Sequence, residues 1–198
     1  MKKILSILTI SVFLISCSNT VENINPISSK KIASKGLSYQ DFQRVADKSI
    51  NSIIRSGSLN NPKGTKYIVV VSDIVNDTMQ NIDTAQLIKK IRIALLRSGK
   101  VSVTNGVGKR SDKMLRQLRK LRNHQEFDQR TIVGKNRMQA PDLSLSGRII
   151  QKNIAVSGGK ELIEYYFQLT LASVVSGLSI WEDEVVIGKR ASGDSVSW

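Results

Sequence analysis

The chain has 198 residues, a formal net charge of +14, one cysteine and one histidine. That length holds one domain and a tether. One cysteine excludes an intramolecular disulfide, and without a second His or Cys neither a zinc site nor a Cys–His nucleophile pair can be assembled. So basic a balance points to an anionic partner.

The chain opens with MKKILSILTISVFLISC, Met1 to Cys17. Two lysines precede an apolar run from Ile4 to Ile15, which gives way to a small residue before Cys17. This is the order of a secretory signal. The run falls short of the roughly 20 apolar residues that span a bilayer. Leu14-Ile15-Ser16-Cys17 resembles the lipobox of bacterial lipoproteins. The resemblance implies cleavage after residue 16 and lipidation of Cys17 by three acyl chains, palmitate among them. At about 0.8 kcal/mol per buried CH₂, such an anchor is permanent. Ser18 stands where Asp would favour the inner membrane in that group, so the expected address is the periplasmic face of the outer membrane.

Residues 17–37 are polar with no period and read as a flexible tether. About 20 residues reach at most roughly 70 Å extended and about 25 Å as a coil. The globular domain is expected over 38–198. Ser38 to Ser56 predicts an amphipathic helix, with Phe42, Val45, Ala46, Ile50, Ile53 and Ile54 on one face, Ser38 as N-cap and Gly57 as stop. A turn at Asn61-Pro62-Lys63-Gly64 leads to Tyr67–Val71, YIVVV, expected as a strand buried on both faces. Asp73 to Ile82 reads as a loop.

A second helix is expected from Asp83 to Ser98, with Asp83 and Gln86 as a capping box. Leu87, Ile88, Ile91, Ala94 and Leu95 would face inward; Lys89, Lys90, Arg92 and Arg97 would lie largely opposite. Val101–Thr104 reads as a short strand. Residues 111–125 predict a third helix with Met114, Leu118 and Leu121 inward, and Lys113, Arg116 and Lys120 outward. After an aperiodic basic stretch ending at Pro141, alternation sets in. Leu143, Leu145 and Ile149 alternate with polar residues; Ile163, Tyr165, Phe167, Leu169 and Leu171 do the same after the Ser157–Lys160 turn. Ser176-Gly177 turns into a last strand, Leu178–Ile187, whose pattern breaks near Trp181 as at a bulge. Three such strands form a meander with one buried face. The fold class is α/β: a sandwich of a mixed β-sheet with packed helices.

The search for catalytic groupings returns absences. His124 ends a surface helix. No serine sits in G-x-S-x-G, and Gly106-Val107-Gly108-Lys109-Arg110 and Ser157-Gly158-Gly159-Lys160 lack P-loop spacing. Glu182, Asp183 and Glu184 alternate sides of a strand and cannot converge. No catalytic residue, metal or cofactor is expected, and the chain reads as no enzyme. Lys109 to Arg137 carries ten Lys or Arg against three acids. Such a run serves as a solvated face or, more sharply, as a docking surface for an acidic partner. Few aromatics interleave the charges, which argues against single-stranded nucleic acid, and export argues against nucleic acid altogether.

Asn76-Asp77-Thr78, Ile82-Asp83-Thr84, Leu95-Leu96-Arg97-Ser98-Gly99-Lys100-Val101 and Ala140–Ile149 (APDLSLSGRI) occur in an order that resembles the LpoB family. Tyr166–Leu171 and Gly177–Trp181 fit as well. The resemblance implies a TolB N-terminal-like domain without an active site. It also implies an outer-membrane lipoprotein that touches and activates a bifunctional penicillin-binding protein, regulating peptidoglycan synthesis. The residues that would meet that partner are Asn76, Asp77 and Thr78 of the matching loop and, from the basic run, Arg116, Lys120, Arg130, Lys135 and Arg137. The alternatives are a structural lipoprotein subunit of an envelope assembly, of curli-secretion or flagellar type, and binding of lipid headgroups or cell-wall polymer by the basic run. The oligomeric state is not readable from the sequence.

Overall fold

The computed structural model describes residues 36–108 and 111–192. The signal segment, Cys17, most of the tether, Lys109 and Arg110 lie outside the described residues. Helix α1 spans Tyr39–Ser56. It starts at Ser38, whose Oγ accepts the Asp41 N–H while the Asp41 carboxylate accepts the Ser38 N–H at 2.8 Å. This reciprocal box satisfies two N–H groups that a helix start leaves unpaired. Gly57 ends the helix in the left-handed region at φ 76°, where a side chain would be strained.

Strand β1 (Tyr67–Asp77) is followed by helix α2 (Thr84–Arg97), strand β2 (Val101–Val103), helix α3 (Lys113–Lys120), and the long strands β3 (Leu143–Val156), β4 (Lys160–Ser173) and β5 (Ser179–Ser192). The sheet order is β2-β1-β3-β4-β5. β1 runs parallel to both β2 and β3, whereas β3, β4 and β5 form an antiparallel meander. The sheet is therefore mixed, as expected. The break near Trp181 is also present: Leu171 pairs with Trp181 but Ala172 with Ser179, leaving Ile180 as the extra residue.

The core lies between the helices and one face of the sheet. Val45, Ile53, Leu87, Ile91, Leu145, Ile149, Tyr165, Phe167 and Leu171 are fully buried there. Phe42 meets the Phe167 ring edge-on at 6.4 Å. Each such aliphatic side chain contributes about 1.5–3 kcal/mol by leaving water. The other sheet face is polar: Ser72 and Ser144 hydroxyls lie 3.1 Å apart, and Gln168 donates to Glu184 at 2.9 Å.

Five sequence expectations are corrected. β1 continues through the segment read as a loop, because β3 offers backbone partners as far as Asp77↔Ile150, after an irregularity between Val71 and Ile74. β1 is not buried on both faces, since helices cover only one; Val69 is buried while Ile68 and Val70 remain half-exposed. Asp83 caps α2 through the Ala85 N–H, so the box with Gln86 does not form. Lys90 is buried: its ammonium sits 3.3 Å from the Tyr39 ring centroid and donates to Gln43 Oε1 at 3.0 Å. The cation–π contact and hydrogen bond together replace lost hydration. The fifth correction concerns α3. It is shorter than expected and buries none of its residues.

One buried ion pair ties α1 to the edge strand. Lys189 Nζ lies 2.6 Å from Asp41 Oδ2, and the two side chains are 16 % and 6 % exposed. Burial pushes the Asp41 carboxyl up, but the Lys189 hydrogen bond, the Ser38 bonds and the Lys189 charge outweigh it, and the net direction is down from 3.8. A carboxylate depressed in the folded state contributes stability above its unfolded pKa and loses it as the pH falls through the folded value. Asp41→Asn should therefore cost about 2 kcal/mol at neutral pH and flatten the loss of stability below about pH 4. Urea unfolding across that pH range tests both.

Candidate docking surface

Between β2 and β3 the chain makes a long excursion, 104–142, that carries most of the basic run. Its ends are fixed to the sheet. The Thr104 N–H donates to Val69 O at 3.0 Å, the Asp142 N–H to Ile68 O at 2.8 Å, and Asp142 Oδ2 accepts the Ile68 N–H at 2.8 Å. Met138 lies so close over Gly106 that a Cβ there would collide with its Cε, so the two limbs meet near the base.

The interior of the excursion is braced by side chains rather than by a core. Arg122 donates to Val133 O and Gly134 O, each at 2.8 Å. Gln129 accepts the Asn123 N–H at 2.8 Å and donates to His124 O at 2.8 Å and Phe127 O at 3.0 Å. Asn123 and Asn136 take left-handed backbone at φ 67° and 59°, which Asn tolerates better than most residues. Neither Arg122 nor Gln129 stood out in the sequence, because a long polar side chain that brackets a loop has no spacing signature. Arg122→Met should speed amide exchange across 122–134 while leaving global unfolding within about 0.5 kcal/mol. Exchange measured by mass spectrometry reads the difference.

The expectation that Met114, Leu118 and Leu121 face inward fails. Met114 is 57 % and Leu118 49 % exposed, and Leu121 is only half-buried. Met114, Leu115 and Leu118 are exposed, as are Phe127, Val133 and Met138 later in the excursion. Four of the eight residues in KMLRQLRK are cations, which leaves too narrow a stripe to hold a helix against a core. That charge density was the available signal.

The basic residues divide into two kinds. Arg116, Lys120, Lys135 and Arg137 are exposed and make no ion pair with a described residue. Arg130 is engaged by Asp128 through both carboxylate oxygens, at 3.1 and 3.0 Å. The bond to Arg130 holds the Asp128 carboxyl below its ordinary value. Arg130 is thus a locally neutralised charge. His124 is exposed, its ring 5.3 Å from that of Phe127.

Asn76, Asp77 and Thr78 lie elsewhere, at the end of β1. Asn76 donates to Gln80 O at 2.8 Å, and Thr78 Oγ donates to Asn76 Oδ1 at 2.7 Å and accepts the Gln80 N–H at 3.2 Å. Asn76 and Thr78 spend their polar atoms closing the β1–α2 turn. Among the described residues, no His, Cys, Asp or Glu cluster could hold a metal, and no helix is long and apolar enough to cross a membrane. A cleft of about 160 Å³ lies between β1, Arg92 and the 106–108 loop.

Among solved structures, the chain is similar to the LpoB C-terminal domain from Escherichia coli, at 14 % identity and TM-score 0.44, over 74 % of this chain and 98 % of that one. It is similar to the corresponding domain from Salmonella enterica, at 14 % identity and TM-score 0.38, over 74 % and 94 %. Lipoprotein GNA1162 from Neisseria meningitidis matches at 13 % identity and TM-score 0.38, over 66 % and 88 %. No curated protein matches the chain. The sequence model of the family described as peptidoglycan-synthase activator LpoB matches residues 41–187, from the first turns of α1 to the middle of β5, and the chain belongs to the LpoB family.

Proposed function

We propose that this protein is an outer-membrane lipoprotein that binds and activates a bifunctional penicillin-binding protein. Membership of an activator family over residues 41–187 is the observation that carries the reading. In this account residues 1–16 are a cleaved signal, Cys17 bears the lipid, 17–37 are the tether and 38–198 the domain. The domain works by contact and not by catalysis. The excursion supplies the contact: it carries exposed apolar side chains and four exposed cations that pair with no described acid. Such a surface suits a partner face that is acidic around an apolar centre, where charge sets approach and orientation and apolar burial adds affinity.

A photo-crosslinking residue at Leu118, and another at Lys135, should trap the synthase in cells as an adduct whose mass is that of the two proteins together. Adducts only with further copies of this chain, or with another envelope subunit, would replace the activator reading by a structural one.

A further inference from the structure

A second surface, unrelated to the excursion helix, lies at the end of the sheet where β1 starts. Tyr67 is level with Val101, Val69 with Leu143, Leu143 with Ser173, and Leu171 with Trp181. The register therefore brings the 57–66 loop, the 98–100 turn and the β4–β5 hairpin tip to one end of the domain. The C-termini of α1 and α2 point the same way.

The hairpin tip is aliphatic and uncharged. Residues 171–181, LASVVSGLSIW, contain no ionisable group. Val174 is 49 %, Val175 91 %, Leu178 66 % and Ile180 41 % exposed. The turn that presents them is ordered: the Ser173 N–H donates to Leu178 O at 2.9 Å, the Gly177 N–H to Ser173 O at 2.8 Å, and the Val174 N–H to Asp142 O at 2.9 Å. Ser58 Oγ donates to Ile180 O at 3.2 Å, joining the tip to the loop after α1. Burying these side chains costs little ordering entropy, because the turn is already formed.

The segments that lead into β1 and β2 carry exposed charge of one sign. Arg55, Lys63, Lys66, Arg97 and Lys100 are all exposed at this end, and none is ion-paired with a described residue. Segments 55–66 and 97–100 contain no acid. The nearest carboxylate on the β3 side, Asp142, is turned inward to accept the Ile68 N–H; Glu182 follows Trp181 on the polar sheet face. The cations stand at the ends of α1 and α2 and on the segments that lead from them into β1 and β2. A group of exposed cations with an aliphatic wedge matches a plane of anionic headgroups over an acyl layer better than a compact protein pocket.

We propose that this end of the domain docks on anionic phospholipid membrane, with Val174, Val175 and Leu178 entering the acyl boundary and the five cations on the headgroups. The contact is separate from the lipid on Cys17 and from the docking of the synthase.

The test uses the mature chain, residues 17–198, carrying Cys17→Ser and Val175→Cys, labelled with an environment-sensitive nitrobenzoxadiazole dye and mixed with vesicles. On phosphatidylglycerol–phosphatidylethanolamine vesicles the emission should shift to shorter wavelength and be quenched by nitroxide-bearing acyl chains. On phosphatidylcholine vesicles it should stay water-like. The same dye on Met79→Cys, 81 % exposed at the opposite end, should remain aqueous on both. Lys63, Lys66, Arg97 and Lys100 changed together to Glu should abolish the shift. Raising the salt should do the same to the unmodified surface and needs no variant to fold. A dye at 175 that stays aqueous on anionic vesicles, or that responds equally on neutral ones, overturns the proposal. So does a shift that appears only when the synthase is added, which would make the tip a protein contact.

Discussion

Changing Arg116, Lys120, Lys135 and Arg137 together to Glu should weaken synthase binding by about 30- to 1000-fold, while Arg130→Gln with Asp128→Asn, which removes a neutral pair, changes it little. Exposed ion pairs are worth about 0.5–1 kcal/mol each, so four reversed contacts cost about 2–4 kcal/mol. The exemption of Arg130 follows from its two-point contact with Asp128: its charge is already compensated before any partner arrives. Most of the loss should appear in the association rate and shrink as salt is raised. Surface plasmon resonance against the purified synthase, at two salt concentrations, measures it. Full binding by the fourfold variant would remove the excursion as the docking surface. The fold should be untouched, because these side chains are exposed.

The largest expected stability effect falls on a residue with no side chain. Gly147→Ala should destabilise the domain by about 3 kcal/mol, a large part of the roughly 5–15 kcal/mol that holds a domain together. A Cβ at Gly147 would lie 2.6 Å from Leu169 Cδ2 and closer still to the Gln168 carbonyl oxygen. Leu169 could turn away; the carbonyl cannot, because β4 is paired on both edges, with β3 and with β5. Gly147 also stands opposite Ile74, where β1 resumes pairing after its irregularity, so the close approach is built into the sheet's bend. Gly188→Ala is the control. Nothing lies within 4 Å of a Cβ there, and its stability should stay within about 0.5 kcal/mol of the parent. Urea denaturation of both variants decides.

Residues with a strong local period were legible. α1 begins at Ser38 and stops at Gly57 because a side-chain cap and a left-handed glycine are local chemistry, visible in a few residues. The alternation of Ile163, Tyr165, Phe167, Leu169 and Leu171 survives intact as the inner face of β4, since a half-buried strand must repeat every second residue. The bulge at Ile180 showed as a break in that repeat. The second half of β1 was not legible. Asp73, Asn76 and Asp77 have loop composition, and only a partner strand 73 residues further on, as in Asp77↔Ile150, makes this segment a strand. Lys90 went unread for the same reason: its burial depends on Tyr39 and Gln43 from another helix.

For the candidate docking surface, the sequence supplied the charge and its run along the chain. It located the basic run, the scarcity of catalytic groups and the order of family segments, all of which depend on residue identity alone. It could not tell Arg130, satisfied by Asp128, from Arg137, which faces water. It also placed Met114 and Leu118 in a core, because a helical stripe looks the same whether or not another surface lies beneath it. The sequence by itself determined the elements with a strong local period, the sign of the charge and the family. Only the tertiary structure decided which apolar side chains stay outside, which cations remain uncompensated, and that an aliphatic turn and five distant cations meet at one end. Those are properties of pairs far apart in the chain, and no local pattern encodes them.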